Sequence, residues 1–271
     1  MPWARASSLH RHLVCPASCS LPQYDRGAWR PGFLQIITPA QLAERRQTEL
    51  ELAKQTIWGG QADWGTAVHQ AKAGVPGVDD KVVELLRPHR EKLWPARLGL
   101  HEVGVSFDCE TRAVDMCIGP AADVDAWKEA QPPQTVVGTV DWWAELPTGE
   151  PWIDDLKTSK WEPETVTEQT KFYLMVRARG AQFSKWDTGR VSVTWIPRPA
   201  NLRDLHEVDS LEELGSEPIR KWKQLSRFTL DEFEEEVVAA WRRAKEEESR
   251  AISGIQCEYC SSALVCTKGR D

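Results

Sequence analysis

An α/β fold, a mixed sheet flanked by helices, is predicted by three features of the 271-residue sequence. Helical patterns come first. Strand patterns follow, centred on a hairpin from Gly138 to Lys157. Beyond the hairpin, a helix, a further strand and a long amphipathic helix succeed one another, and helices that interleave with strands in this way pack onto a sheet.

Each element has a local reason. Ser7 to Cys19 reads as a short helix halted by Pro16. Thr38-Pro39-Ala40-Gln41 opens a second helix with threonine as N-cap, proline at the first helical position and glutamine three after the cap, and Gly59-Gly60 closes it. A third helix starts near Asp63 and ends at Gly74, and a fourth starts at Asp79-Asp80 and must kink or stop at Pro88. His101–Asp108 and Arg112–Ile118 alternate as a strand pair about a turn at Cys109-Glu110-Thr111. Residues 119–134, rich in proline and alanine, read as an inserted loop with at most a helical turn. After the central hairpin a helix is expected from Pro163 to about Gly180, then a strand from Arg190 to Ile196. Residues 201–226 have no clear period and read as loop with helical turns, and Thr229-Leu230-Asp231-Glu232 is a capping box opening the last long helix.

The central hairpin carries charge where a covered strand should have none. Val136, Val137, Val140, Trp152 and Ile153 suit a pleated, buried surface. With period two, Ile153, Asp155 and Lys157 share one side, and Trp152, Asp154 and Leu156 share the other. Asp141, on the adjoining strand, reaches the space of Asp155 and Lys157 in the expected register. Two converging carboxylates repel unless a cation lies between them, and hard oxygen donors suit magnesium or manganese. A hairpin whose Asp155 and Lys157 are merely solvated accounts for these residues equally well. Asp154 points away from the pair and is not expected to be a ligand; Glu102 offers an extra acidic ligand, with a surface strand charge the favoured reading.

Composition sets bounds. The net charge of −7 argues against coating nucleic acid by bulk electrostatics and leaves room for a local basic groove. No apolar run approaches the ~20 residues of a membrane span, and the N-terminus lacks a secretory core, so a cytoplasmic protein is expected. Seven cysteines, an odd number, do not suggest a secreted disulfide framework; Cys257, Cys260 and Cys266 crowd together at metal-ligand spacing.

Six features in order, Ser8-Leu9 ahead of Cys15-Pro16, Gly65-x-x-x-His69, Gly138-x-x-Asp141, Asp155-x-Lys157, Gln169-x-x-x-Tyr173 and the terminal cysteine triplet, resemble the PD-(D/E)XK nuclease superfamily. The narrower likeness is to its RecB-type branch, with the CRISPR-associated adaptation exonucleases. The resemblance implies a restriction-endonuclease-like core over residues 61–200, between an N-terminal helical segment, 1–60, and a C-terminal one, 201–271. It implies His69, Asp141, Asp155 and the Leu156 carbonyl as ligands of Mg2+ or Mn2+, Lys157 to position or activate water, and Gln169 and Tyr173 to touch the DNA backbone or support the site. It further implies a 4Fe-4S cluster on Cys15, Cys257, Cys260 and Cys266, stapling the two ends of the chain. Zinc on the same thiolates is the competitor, and Cys19 is an alternative N-terminal ligand. Cys109 and Cys117 read as small apolar strand residues.

The implied activity is metal-dependent hydrolysis of DNA at single-stranded ends, in recombination, repair, phage replication or CRISPR spacer acquisition, with protein partners from those processes. A catalytically silent DNA-binding or assembly subunit is the alternative. Among fourteen tryptophans, Trp142, Trp143 and Trp161 lie near enough to the site to stack on unpaired bases, though core packing is the expected role of most. Arg5, Arg11, Lys160, Lys171, Arg177 and Arg179 are the candidate DNA contacts.

Overall fold

The structure is a computed structural model, and it describes residues 4–15, 61–73, 78–93, 99–179, 187–199, 205 and 207–246. The Thr38 helix, Cys19 and Cys257, Cys260 and Cys266 lie outside the described residues. The elements used below are β1 (Ala4–Arg5), α1 (Leu9–Val14), α2 (Gln61–Ala73), α3 (Asp80–Leu86), α4 (Arg90–Leu93), β2 (Gly99–Asp108), β3 (Val114–Cys117), α5 (Ala121–Glu129), β4 (Thr135–Glu145), β5 (Pro151–Lys157), α6 (Glu168–Arg179), β6 (Thr188–Trp195), β7 (Ile219–Ser226) and α7 (Arg227–Glu246).

The strands form one mixed seven-stranded sheet in the order β3-β2-β4-β5-β6-β7, with β1 parallel to β4. β4 and β5 make the expected antiparallel hairpin, turning at Gly149, whose φ of 81° is open to glycine at little steric cost. β5 and β6 run parallel, with α6 as the crossover between them. Each flank read as helical also supplies a strand to this sheet, β1 on one side of the core and β7 on the other.

The two faces of the sheet bury different layers. α1, α6 and α7 pack on one, through Leu9, Phe172, Leu174, Leu230, Phe233 and Val237 against Val103, Val140, Ile153 and Val191. α2 and α3 cover part of the other, where Trp64, Val68, Val82 and Leu85 meet Leu156 and Ile196. The period-two division of β5 therefore holds: Ile153 faces α6, and Leu156 faces α2.

Four boundaries differ from the sequence reading, each for a local reason. Residues 121–129, expected as loop, form α5, because Val124 and Trp127, one turn apart, drop onto Gly104; a Cβ there would lie 2.8 Å from Val124. The helix expected from Pro163 begins at Glu168. Its start is set by a reciprocal box in which the Thr170 N–H donates to Thr167 Oγ1 at 3.2 Å and the Thr167 N–H to Thr170 Oγ1 at 2.9 Å. The last helix begins at Arg227, earlier than the Thr229 box, because Ser226 Oγ accepts the Thr229 N–H at 3.1 Å. β7 falls within the stretch read as loop. It is an edge strand whose residues are mostly exposed on both faces, so it lacks the apolar alternation that would announce it. Among the described residues no helix is long and apolar enough to cross a membrane.

Candidate active site

The site forms where the β4–β5 ladder ends. Backbone pairing runs from Glu145↔Pro151 to Trp142↔Asp154, and β1 then lies beside the first half of β4. The Leu156 N–H, beyond the last pair, donates to Asp141 Oδ2 at 2.6 Å. A carboxylate thus takes the place of a ladder carbonyl, leaving its second oxygen for other work. That oxygen, Oδ1, lies 3.8 Å from His69 Nδ1 on α2.

Glu102 completes this group. It lies in β2 between the pairs Val103↔Val140 and His101↔Trp142, with φ at 51°, a backbone conformation rare for glutamate. Alternation breaks there: Val103 points into the α6 layer, whereas Gly99, four residues back, abuts the Trp142 ring on the opposite face. The favoured sequence reading, a surface strand charge, is corrected: Glu102 Oε1 is 4.0 Å from His69 Nδ1. One ligand atom from each of His69, Glu102 and Asp141 falls within 4.8 Å of the other two, a donor set of one imidazole and two carboxylates that fits a divalent cation.

Asp155 and Lys157 stand beside this group on β5. Lys157 Nζ is 2.7 Å from Asp155 Oδ2 and donates to Gln169 Oε1 at 3.4 Å. Gln169 Nε2 in turn donates to Tyr173 Oη at 3.0 Å. Gln169 lines the pocket, but Tyr173 is 2 % exposed, so its reach to a DNA backbone is excluded and it supports Gln169 from beneath. The glycines of the two motifs are close approaches: a Cβ on Gly138 would lie 2.6 Å from the Tyr173 ring, and one on Gly65 2.7 Å from Thr158 Oγ1.

These side chains open onto a pocket of ≈ 370 Å³ lined by His69, Asp141, Asp155, Lys157, Lys160, Gln169 and Arg198, among others. Electrostatics there are tense. Burial, then the Asp155 charge, pushes the Asp141 carboxyl up to about 6. At His69 burial works downward, but the Glu102 hydrogen bond and the Asp141 and Glu102 charges outweigh it, and the net shift is upward. At Lys157 burial again works downward and the Asp155 carboxylate outweighs it, so the ammonium is favoured. An Asp141 carboxyl raised by burial and by a neighbouring carboxylate is one that a cation would relieve.

Asp154 lies on the other face, as expected. It is 0 % exposed and accepts from Ser192 Oγ and Thr194 Oγ1, with Lys72 Nζ at 3.5 Å and Arg220 Nε at 3.4 Å. Trp142 and Trp143 are buried and offer no stacking face; Trp161 is 75 % exposed. Of the candidate DNA contacts, Lys160 lines the pocket. Arg5 pairs with Glu129, Arg177 with Glu145 and Arg179 with Glu234, and Lys171 lies over Phe233. The Arg11 side chain is outside the described residues. Arg198, which lines the pocket, was missed from sequence because Pro197 and Pro199 hide it in a segment without period.

At one end of the sheet of this α/β fold, a carboxylate pair, a lysine and a histidine surround one pocket, a donor set suited to a divalent cation. The family model of the PD-(D/E)XK nuclease superfamily matches residues 40–267, and the chain belongs to that superfamily, whose members are usually metal-dependent nucleases. No curated protein matches. Among solved structures, one titled "Crystal structure of SSO0001" is similar at 11 % identity and a TM-score of 0.40, over 97 % of this chain and 84 % of that one, a likeness too loose to carry an argument.

Proposed function

We propose that the protein is a metal-dependent deoxyribonuclease that hydrolyses phosphodiester bonds, acting as an exonuclease on unpaired ends. The observation that carries this reading is that Asp141, Asp155 and Lys157 line a single pocket open to solvent. His69, Glu102 and Asp141 would hold Mg2+ or Mn2+, with Asp155 and the Leu156 carbonyl adjacent as further donors. When bound, the cation supplies Lewis acidity and neutralises charge on the phosphate. Lys157, oriented by Asp155 and Gln169, presents an ammonium to the phosphate oxygens and holds the attacking water in line. Tyr173 fixes Gln169 and so acts as a positioning residue.

The branch resemblance adds action in recombination, repair, phage replication or spacer acquisition, and a 4Fe-4S cluster on Cys15, Cys257, Cys260 and Cys266. Two placements support the cluster. Cys15 is buried at the end of α1, and α1 lies against α7, with Arg243 Nη2 donating to the Leu13 carbonyl at 3.0 Å. The chain that leaves α7 leads to the cysteine triplet. Anaerobically purified protein should be brown and carry about four irons per chain; a colourless protein with one zinc refutes the cluster.

The test of the activity is digestion of an end-labelled single-stranded oligonucleotide with Mn2+ or Mg2+. Mononucleotides should be released from an end, and EDTA should stop the reaction. No cleavage by the parent chain with either ion refutes the nuclease reading.

A further inference from the structure

We propose that the segments following β5 and β6 form a subsite for an unpaired DNA strand, in which Arg198 and Lys160 take a phosphate and Trp161 takes the face of a base. This rests on the nuclease reading for the direction of the strand and on separate residues for its binding.

Trp161 is 75 % exposed, yet the backbone beneath it is tied down. Ser159 Oγ donates to the Trp161 carbonyl at 2.6 Å, Trp195 Nε1 donates to the Ser159 carbonyl at 2.8 Å, and the Arg198 N–H reaches the same carbonyl at 3.4 Å. On the far side Glu162 pairs with Lys221 of β7. A large apolar ring held open to water on an ordered loop has a free face for a planar partner.

The charge beside it is of the matching sign. Lys160 Nζ lies 4.9 Å from the Trp161 ring centroid, and Lys160 and Arg198 both line the pocket that holds Asp155 and Lys157. Arg198 Nε is buried with no hydrogen-bond partner among the described residues. A guanidinium that borders the pocket beside Lys160 and Lys157 brings a fixed positive charge and a planar set of donors that suit a phosphate. Lys160, which lies over the Trp161 ring and lines the pocket, joins the base face to the reacting centre.

This arrangement selects an unpaired strand. In a duplex each base face is covered by its neighbours, so a base can lie on Trp161 only where the strand is single or its end has frayed. Arg198 and Lys160 alone would not make that distinction, since they meet the backbone, which both forms share.

Fluorescence anisotropy of a labelled oligo(dT), with the full chain in EDTA so that nothing is cut, tests this. Trp161→Ala and Arg198→Gln should each weaken binding by about tenfold, the usual scale for a lost stacking platform or charged phosphate contact. Trp161→Phe should keep most of the affinity, and a blunt duplex of equal length should bind more weakly and be indifferent to Trp161→Ala. Parental affinity for oligo(dT) in either Trp161→Ala or Arg198→Gln overturns the proposal, as does a duplex that loses as much as the single strand. A chain that binds oligo(dT) through Trp161 but cuts nothing with Mn2+ refutes the nuclease reading and supports this one; a chain that cuts but ignores Trp161→Ala does the reverse.

Discussion

Asp154 and Asp155 are neighbours in one strand, both almost fully buried, and they do opposite things. Asp154 turns toward α2 and β6 and is saturated by two hydroxyls, a lysine and an arginine. Asp155 turns toward α6, meets Lys157 and borders an open pocket. Burial alone therefore does not distinguish architecture from chemistry. What distinguishes them is whether the charge is closed off by partners or left facing a space where a ligand fits.

The largest expected effect sharpens that contrast. Asp155→Ala or Lys157→Ala should lower cleavage by about a thousandfold or more, while circular dichroism and the melting temperature stay near the parent's. Undiminished rates in purified mutant protein would place the chemistry elsewhere. Asp154→Ala should do the converse. It leaves Lys72 and Arg220 facing an emptied site, a loss of about 3–5 kcal/mol for breaking a buried ion pair, read as a lower denaturation midpoint. The fraction that still folds should cleave within about tenfold of the parent. A stable but inactive Asp154→Ala would collapse the distinction between the two faces.

A third test uses pH. Without a cation, the raised carboxyl of Asp141 and raised imidazole of His69 favour the protonated, folded state. Their contribution is present at acid pH and fades as pH climbs through about 6 for Asp141. A cation needs both groups deprotonated, so the thermal shift produced by Mn2+ should grow from pH 5 to pH 8. A shift independent of pH would detach these two residues from the ion. The smallest effect concerns the seam between the faces. Gly65→Ala would push on Thr158 and so on the end of β5, costing a few-fold in rate and about 1 kcal/mol or less in stability. Thr158→Ala in the same chain should restore the rate.

Most of the hairpin and its pairing was legible in the sequence, because a period-two pattern fixes which side chains share a face. Gly65 and Gly138 stood out as motif spacing, and their reason, contact with Thr158 and Tyr173, needed the tertiary structure. Glu102 was legible only as the less favoured of two readings, an extra acidic ligand, because it sits where alternation fails and its φ of 51° turns it toward His69. Arg198 and β7 were hidden in a stretch where exposure on both faces and flanking prolines erase any period. Of the three tryptophans near the site, Trp142 and Trp143 are core, the role expected of most tryptophans here, and Trp161 alone is open to a base.

The left-handed backbone at Glu102 carries one more implication. Glycine adopts that conformation freely, and glutamate does so at a cost of about 1 kcal/mol or more. Glu102→Gly would therefore relax the strand while deleting an oxygen donor, giving a hardier protein with a poorer site for the proposed cation. Selection for thermal endurance and selection for turnover would favour different residues at this one position.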